Sequence, residues 1–192
     1  MRMTSERKAE TRQRILDAAI TLFRAHGIDA VGVDAIMHHA GLTHGGFYAH
    51  FASKEALVAE VAAASLARSA SRWERISRQS SAEAALEQIV GAYLDPAHVV
   101  TTDRGCILAT LGPEVARRRE VRPAMTDSIR RMADALTLCL PGRRRQRALA
   151  ALSGMVGAVV LARLSDDPEF AEEILTAARK AVGLGKPPAT LN

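Results

Sequence analysis

Residues 35–51 read AIMHHAGLTHGGFYAHF, and the spacing inside this stretch decides the fold. Ile36 and Met37 are the inward-facing pair of a short helix expected over Val33 to Ala40. Gly41 stops that helix, because glycine accepts the left-handed backbone that helix ends favour. Leu42 turns inward, and Thr43 is placed to cap a further helix ending near Phe51. Upstream, a long helix from near Ser5 to His26 carries Ile15, Ala18, Ala19, Leu22 and Phe23 on one stripe, the period of a helix packed on one side. Gly27 ends it. Downstream, Ser53 caps a fourth helix running through Leu57, Val58, Val61 and Leu66 towards Arg78. Two short helices across a tight turn, both lying on a longer one, make a helix-turn-helix unit.

The rest of the chain keeps the helical period. Ser80 and Glu83 form a capping box for helix five, which stops before Pro96. Helix six is expected near Gly105, helix seven near Pro123, helix eight near Arg143 and helix nine near Pro168, with the prolines at first-turn positions. Nothing alternates like a strand. The fold class is all-α, about nine helices, divided as 1–52 and 53–192, and only the tail GLGKPPATLN looks loosely ordered. With 192 residues, 48% hydrophobic, the chain can bury a real core. Two cysteines exclude a disulfide scaffold and point to a reducing, cytoplasmic compartment. The opening MRMTSERKAE lacks the apolar run of a secretory signal. The apolar stretch Ala148 to Ala162 spans about 22 Å as a helix, short of the ~30 Å of a bilayer core. It reads as a buried helix, with no membrane partner.

The net charge is +5, with 22 Arg against 4 Lys. That balance permits nucleic acid as a partner, and it equally reflects genomic base composition. The amino end is locally richer: residues 1–14 hold five basic and two acidic side chains. Arg2, Arg7, Lys8, Arg12 and Arg14 are either an arm reaching phosphate or the minor groove, or a solvated helix face.

A second short helix of this kind fits the ~12 Å major groove and offers its first residues to base edges. The run TRQRILDAAITLFRAHG…VDAIMHHAGLTHGGFYAHFASKEAL, Thr11 through Leu57, resembles the TetR family of bacterial transcriptional regulators. Gly27, Ile36, Ala40-Gly41, Tyr48, Phe51 and Lys54 carry the likeness. The resemblance implies a homodimer on a palindromic double-stranded DNA operator, with a small-molecule effector received in the core. On these positions Tyr48 hydrogen-bonds a phosphate, with His50 and Lys54 approaching the backbone. His44 reads bases just inside the helix start at Thr43, while Gly45, Gly46 and Ala49 face the groove. Phe47 and Phe51 pack. Two consecutive glycines, each costing a helix about 1 kcal/mol against Ala, either let the backbone approach the bases or leave the helix frayed until DNA binds. Gly32 departs from the family's common Ser or Thr cap and loses that phosphate contact.

The resemblance also implies that helices eight and nine form a four-helix dimer interface, through Ala151, Gly154, Gly157, Ala158, Leu161, Ile174, Leu175 and Ala178; an intrachain core is the alternative. Helix eight is apolar on nearly every side and should be enclosed. A cavity is expected among helices five, six and seven, lined by Tyr93, Ile107, Leu108, Leu111, Met125, Ile129 and Met132, and suited to a hydrophobic or weakly polar molecule. Ordinary core is the plainer reading of most of them. Cys106, after Gly105 and beside Arg104, is either a thiolate-prone sensor of electrophiles or a small buried packing residue. Cys139 reads as core. No metal, phosphate-loop or nucleophile motif is present, so no enzyme and no cofactor are expected. The reading is a DNA-binding regulator, more a repressor than an activator, released by a small hydrophobic or electrophilic ligand. A constitutive DNA-binding module without effector is the nearer alternative, an all-helical enzyme the remoter one.

Overall fold

A computed structural model describes residues 5–101 and 105–183, with Arg143 described in its backbone alone. Arg2, Arg104 and tail residues 184–192 lie outside the described residues. Among those described there are nine α-helices and no strand: α1 (Ser5–His26), α2 (Val33–His39), α3 (Lys54–Gln79), α4 (Ala82–Tyr93), α5 (Pro96–Val100), α6 (Ile107–Ala116), α7 (Arg122–Cys139), α8 (Arg145–Leu164) and α9 (Pro168–Val182). Three 3-10 turns accompany them, at His44–Ala49, Arg119–Val121 and Pro141–Arg143.

Caps set most of the boundaries. The Ser53 hydroxyl accepts from the Ala56 amide at 3.1 Å, and Asp167 accepts from Glu169 and Phe170 at 2.9 and 3.2 Å. Each satisfies amides that a first helical turn leaves unpaired. Gly27 and Gly41 hold φ of 83° and 66°, where a side chain would strain the turn. α3 is the spine. It packs along α7 and also meets α1, α4 and α6, while α8 lies on α5, α6, α7 and α9. The apolar residues of these helices join into one buried core.

Several expectations need correction. The helix after Thr43 is 3-10, not α: Gly46 donates to the Thr43 carbonyl at 3.1 Å and His50 to Phe47 at 2.9 Å. Two glycines with poor α propensity leave the tighter winding open to so short a piece, and Thr43 gives no side-chain cap. The cap of α4 is Ser81, whose hydroxyl accepts from Ala84 at 3.3 Å; Ser80 instead closes α3. Pro96 opens a further helix, α5, because Asp95 caps it through Ala97 at 2.7 Å. α6 continues through Pro113. α8 runs 20 residues, about 30 Å, so it is long and apolar enough to cross a membrane, contrary to the 15-residue estimate. Nor is it enclosed on all sides: Ala148, Leu152, Met155 and Val159 are buried while Leu149, Leu161 and Leu164 are exposed.

Candidate nucleic-acid interface and ligand pocket

The head is built so that its packing residues and its exposed residues separate cleanly. Phe47 and Phe51 stack at 5.7 Å and are buried with Ile36 and Met37. On the other side Tyr48 is 63% exposed, and the His44 ring lies edge-on to it at 6.2 Å. Gly45 and Ala49 are exposed, and Lys54 is partly so. The His44 Nδ1 pairs with the Asp34 carboxylate from α2, which leaves Nε2 available. His50 is half-buried and its Nδ1 is enclosed without a partner. Burial, then Lys8 and Arg12, hold its pKa below the ordinary histidine value. A neutral His50 offers phosphate no full charge, so it contributes less than Lys54 to a backbone contact.

Neither glycine is demanded by the protein itself. A Cβ on Gly45 would meet nothing within 4 Å, and one on Gly46 would touch Met37 Cε at 3.6 Å, an ordinary contact. Neither residue has positive φ.

Two arginines of the expected arm have other work. Arg12 pairs through both guanidinium nitrogens with Glu60 of α3 and lies 4.4 Å from the centre of the Phe51 ring. Arg14 donates to the Ala40 carbonyl at 2.6 Å, closing α2. They buttress the head. Arg7 and Lys8 remain on the exposed face of α1. A second seam ties the head to α6. The Ile28 amide donates to Glu114 at 2.7 Å, and Arg118 donates to Asp29 at 2.6 Å and to Glu55 at 3.0 Å. None of these partners belongs to a local motif, which is why sequence pattern missed them.

The main pocket is about 890 Å³, inside the usual size range for small-molecule sites. Of the expected lining, Tyr93, Cys106 and Met132 are on its wall. Ile107, Leu111 and Met125 are buried core, and Leu108 and Ile129 pack against that core. The pocket opens instead beside α1, α3 and α4, with Arg24, Arg68, Arg72 and Arg75 on its wall. Its wall adds these four arginines to an apolar lining of Ile20, Trp73, Ile76, Ile89 and Met132.

Cys106 caps the start of α6, and its amide donates to His98 Nε2 at 2.9 Å. The other ring nitrogen bonds the Tyr93 carbonyl at 2.6 Å. Accepting at Nε2 fixes the neutral tautomer with hydrogen on Nδ1, in keeping with burial holding the His98 pKa below its ordinary value. Arg163 clamps the same corner, donating to Val99, Thr110 and His98 at 3.1, 2.9 and 2.8 Å. Gly105 admits it: a Cβ there would lie 2.5 Å from the guanidinium.

The α8–α9 positions divide. Ala151, Ala158 and Leu175 are buried within the chain, Gly157, Ile174 and Ala178 are half-buried, and Gly154 and Leu161 are exposed. Around the exposed ones the surface stays apolar, through Leu149, Leu164 and Phe170.

A helix-turn-helix head seated on an all-helical body defines the class. Residues 15–61 match the model described as bacterial regulatory proteins, tetR family. The chain is 40% identical over 60 residues to the HTH-type transcriptional regulator AcrR of Shigella flexneri, a match covering 31% of this chain and 28% of that protein. Over 53 residues it is 45% identical to the HTH-type transcriptional regulator SrpR of Pseudomonas putida, covering 28% and 25%. The matched stretch is thus about a quarter of the length of these curated relatives. The fold likeness runs further. Against the reduced form of E. coli NemR the TM-score is 0.75 at 21% identity, over 94% of this chain and 100% of that one. Against a TetR-family regulator of Agrobacterium tumefaciens it is 0.75 at 20% identity, over 90% and 97%. At such identities the likeness is one of fold. Residues 15–61 thus carry the sequence signature of the TetR-family regulators, and the whole described chain shares their fold.

Proposed function

We propose that the protein is a homodimeric transcriptional repressor of the cytoplasm whose grip on a palindromic operator is released by a small molecule. One observation carries the DNA reading: His44 and Tyr48 stand side by side in solvent on a short helix whose opposite face is anchored by buried Phe47. Their inward contacts, Asp34 on His44 and the Phe47 ring on Tyr48, leave the His44 Nε2 edge and the Tyr48 hydroxyl facing outward. Tyr48 and Lys54 serve phosphate, and Thr43, at the turn's start, adds backbone and hydroxyl donors. His44, oriented by Asp34, reads a base edge. The glycines favour close approach to the bases, since the protein side leaves room for a Cβ at both. Gly45→Ala should therefore leave the melting temperature unchanged or raised while weakening operator binding; equal operator affinity would remove the close-approach role.

The exposed apolar face of α8 and α9 supports dimerisation, since Leu149, Leu161, Leu164 and Phe170 form the kind of surface that a monomer rarely leaves in water. Two heads held about one duplex turn apart, ~34 Å or a modest multiple, would then engage one site together. Release works by population: a ligand that prefers a different spread of the heads lowers DNA affinity by no more than its differential affinity. Glu114 and Arg118 are the joints through which α6 passes that change to α1 and α3. An electrophile reaching Cys106 from inside the pocket is a second route, favoured by that residue's place on the wall; release by an electrophile that survives Cys106→Ser would exclude it.

Titrating labelled duplex DNA with protein at several salt concentrations tests the core proposal. Affinity should fall steeply with salt, and Tyr48→Phe should weaken all sequences alike. Affinity for duplex DNA no better than that of a variant with both Tyr48 and Lys54 removed would overturn it.

A further inference from the structure

The pocket wall has a charge pattern that the fold does not explain. Arg68, Arg72 and Arg75 follow one another along a face of α3, with Arg24 of α1 on the same wall. No aspartate or glutamate is among the described lining residues. Glu74, the nearest carboxylate in sequence, is committed elsewhere: it holds Arg131 of α7 through two bonds of 2.8 Å. Among the described residues no carboxylate lies within ion-pair distance of Arg68, Arg72 or Arg75. Like charges three and four residues apart on a helix repel weakly, and an anion set against them would offset that repulsion.

Deeper in, the wall changes character. Ile20, Trp73, Ile76, Ile89 and Met132 supply apolar surface. Tyr93, also on the wall and edge-on to Trp73 at 5.7 Å, is 6% exposed, its hydroxyl buried with no geometric hydrogen-bond partner. Burial, then the neighbouring Cys106, pushes its pKa well above the ordinary tyrosine value, so it stays protonated and keeps a proton to donate. A buried unpaired hydroxyl costs free energy unless something accepts from it.

We infer that the pocket binds an amphiphilic organic anion. Its carboxylate or phosphate lies against the α3 arginines, its apolar body packs on Trp73 and Ile89, and an oxygen accepts from Tyr93. Guanidinium groups suit such heads because their paired N–H groups match two oxygens at once. This deepens the effector reading and depends on it for its regulatory meaning alone.

Calorimetry on the full-length protein without DNA tests it, using 2-naphthoate, 2-naphthyl phosphate, 2-naphthylmethanol and 2-naphthylmethylammonium as probes of one shape. At least one anion should bind about ten-fold or more tighter than the alcohol and the ammonium compound. Joint replacement Arg68→Gln, Arg72→Gln and Arg75→Gln lies on exposed positions and should leave the melting temperature in place while erasing that preference. Tyr93→Phe should weaken the anion more than the alcohol. The two anion arms separate carboxylate from phosphate. Anions that bind no better than the neutral or cationic probes, including no binding by any, would overturn the inference, as would a preference that survives the triple replacement. Displacement of labelled DNA by the bound anion is scored separately: binding without displacement upholds the pocket chemistry and overturns its effector role.

Discussion

The head and the pocket solve opposite problems with the same few residue types. In the head, cations and aromatics are divided by face: Arg12 and Arg14 hold the helices together, while Tyr48, His44 and Lys54 are left to solvent. In the pocket that division fails. Tyr93 and Cys106 pack as core residues and also line the cavity, and Arg68, Arg72 and Arg75 on the same wall have no carboxylate partner among the described residues. A surface that reads a rigid duplex can be prepared in advance on one short unit. The pocket wall is drawn from five helices, α1, α3, α4, α5 and α7, and the loop before α6, so an effector of the proposed kind would touch the packing on which the head sits.

The largest effect expected from breaking this contrast lies outside both regions. Leu161→Glu places a charge on the exposed apolar face of α8, and should turn a dimer into a monomer by sedimentation. Operator affinity should fall by about a hundred-fold or more, since the second head no longer binds as part of one molecule. Unchanged sedimentation would remove α8 from the interface. Next comes Arg179→Ala. Arg179 is 2% exposed; it ties α9 to the Leu94 carbonyl and is itself held by Glu172 of the same helix. Its loss should cost roughly 2–4 kcal/mol in denaturant unfolding, because a buried carbonyl is stripped of its partner. A cost no greater than that of an exposed alanine substitution on the same helix would deny it that structural role.

His44→Ala sharpens the head's side of the comparison. It should lose about 1–3 kcal/mol on the preferred sequence and little on random DNA, whereas equal losses on both would make His44 a backbone contact. The smallest effect belongs to pH. Both His50 and His98 have pKa values held below the ordinary histidine value. Each therefore contributes stability that is present above about pH 6.5 and is lost as pH falls through the lower folded value. The melting temperature should hold between about pH 8 and 6.5 and decline below. His98→Asn should flatten that decline, because protonation then no longer breaks the Cys106 amide bond.

Local patterns were legible and assembled ones were not. The stripe Ile15, Ala18, Ala19 and Phe23 and the turn at Gly41 could be read because helix packing repeats every few residues along one element. The 3-10 winding of His44–Ala49 was not read, since Thr43 looks like a cap whether or not it makes the bond. The pocket was legible only at Tyr93, Cys106 and Met132, because the rest of its wall comes from α1, α3, α4 and α5, which no spacing rule connects. Arg163 and Arg179 were missed for a related reason. Arginines in the last turn of a helix look solvated in sequence, and their partners, carbonyls at Leu94, His98 and Val99, have no side-chain signature.

Selection of duplexes from a random-sequence pool by the purified protein bears most directly on the proposed role. The proposed dimer predicts enrichment of one inverted repeat with half-site centres a duplex turn or a small multiple apart, and loss of its base preference, but not of all retention, in His44→Ala. A pool that emerges with no shared motif, or with the same motif for His44→Ala, would contradict it.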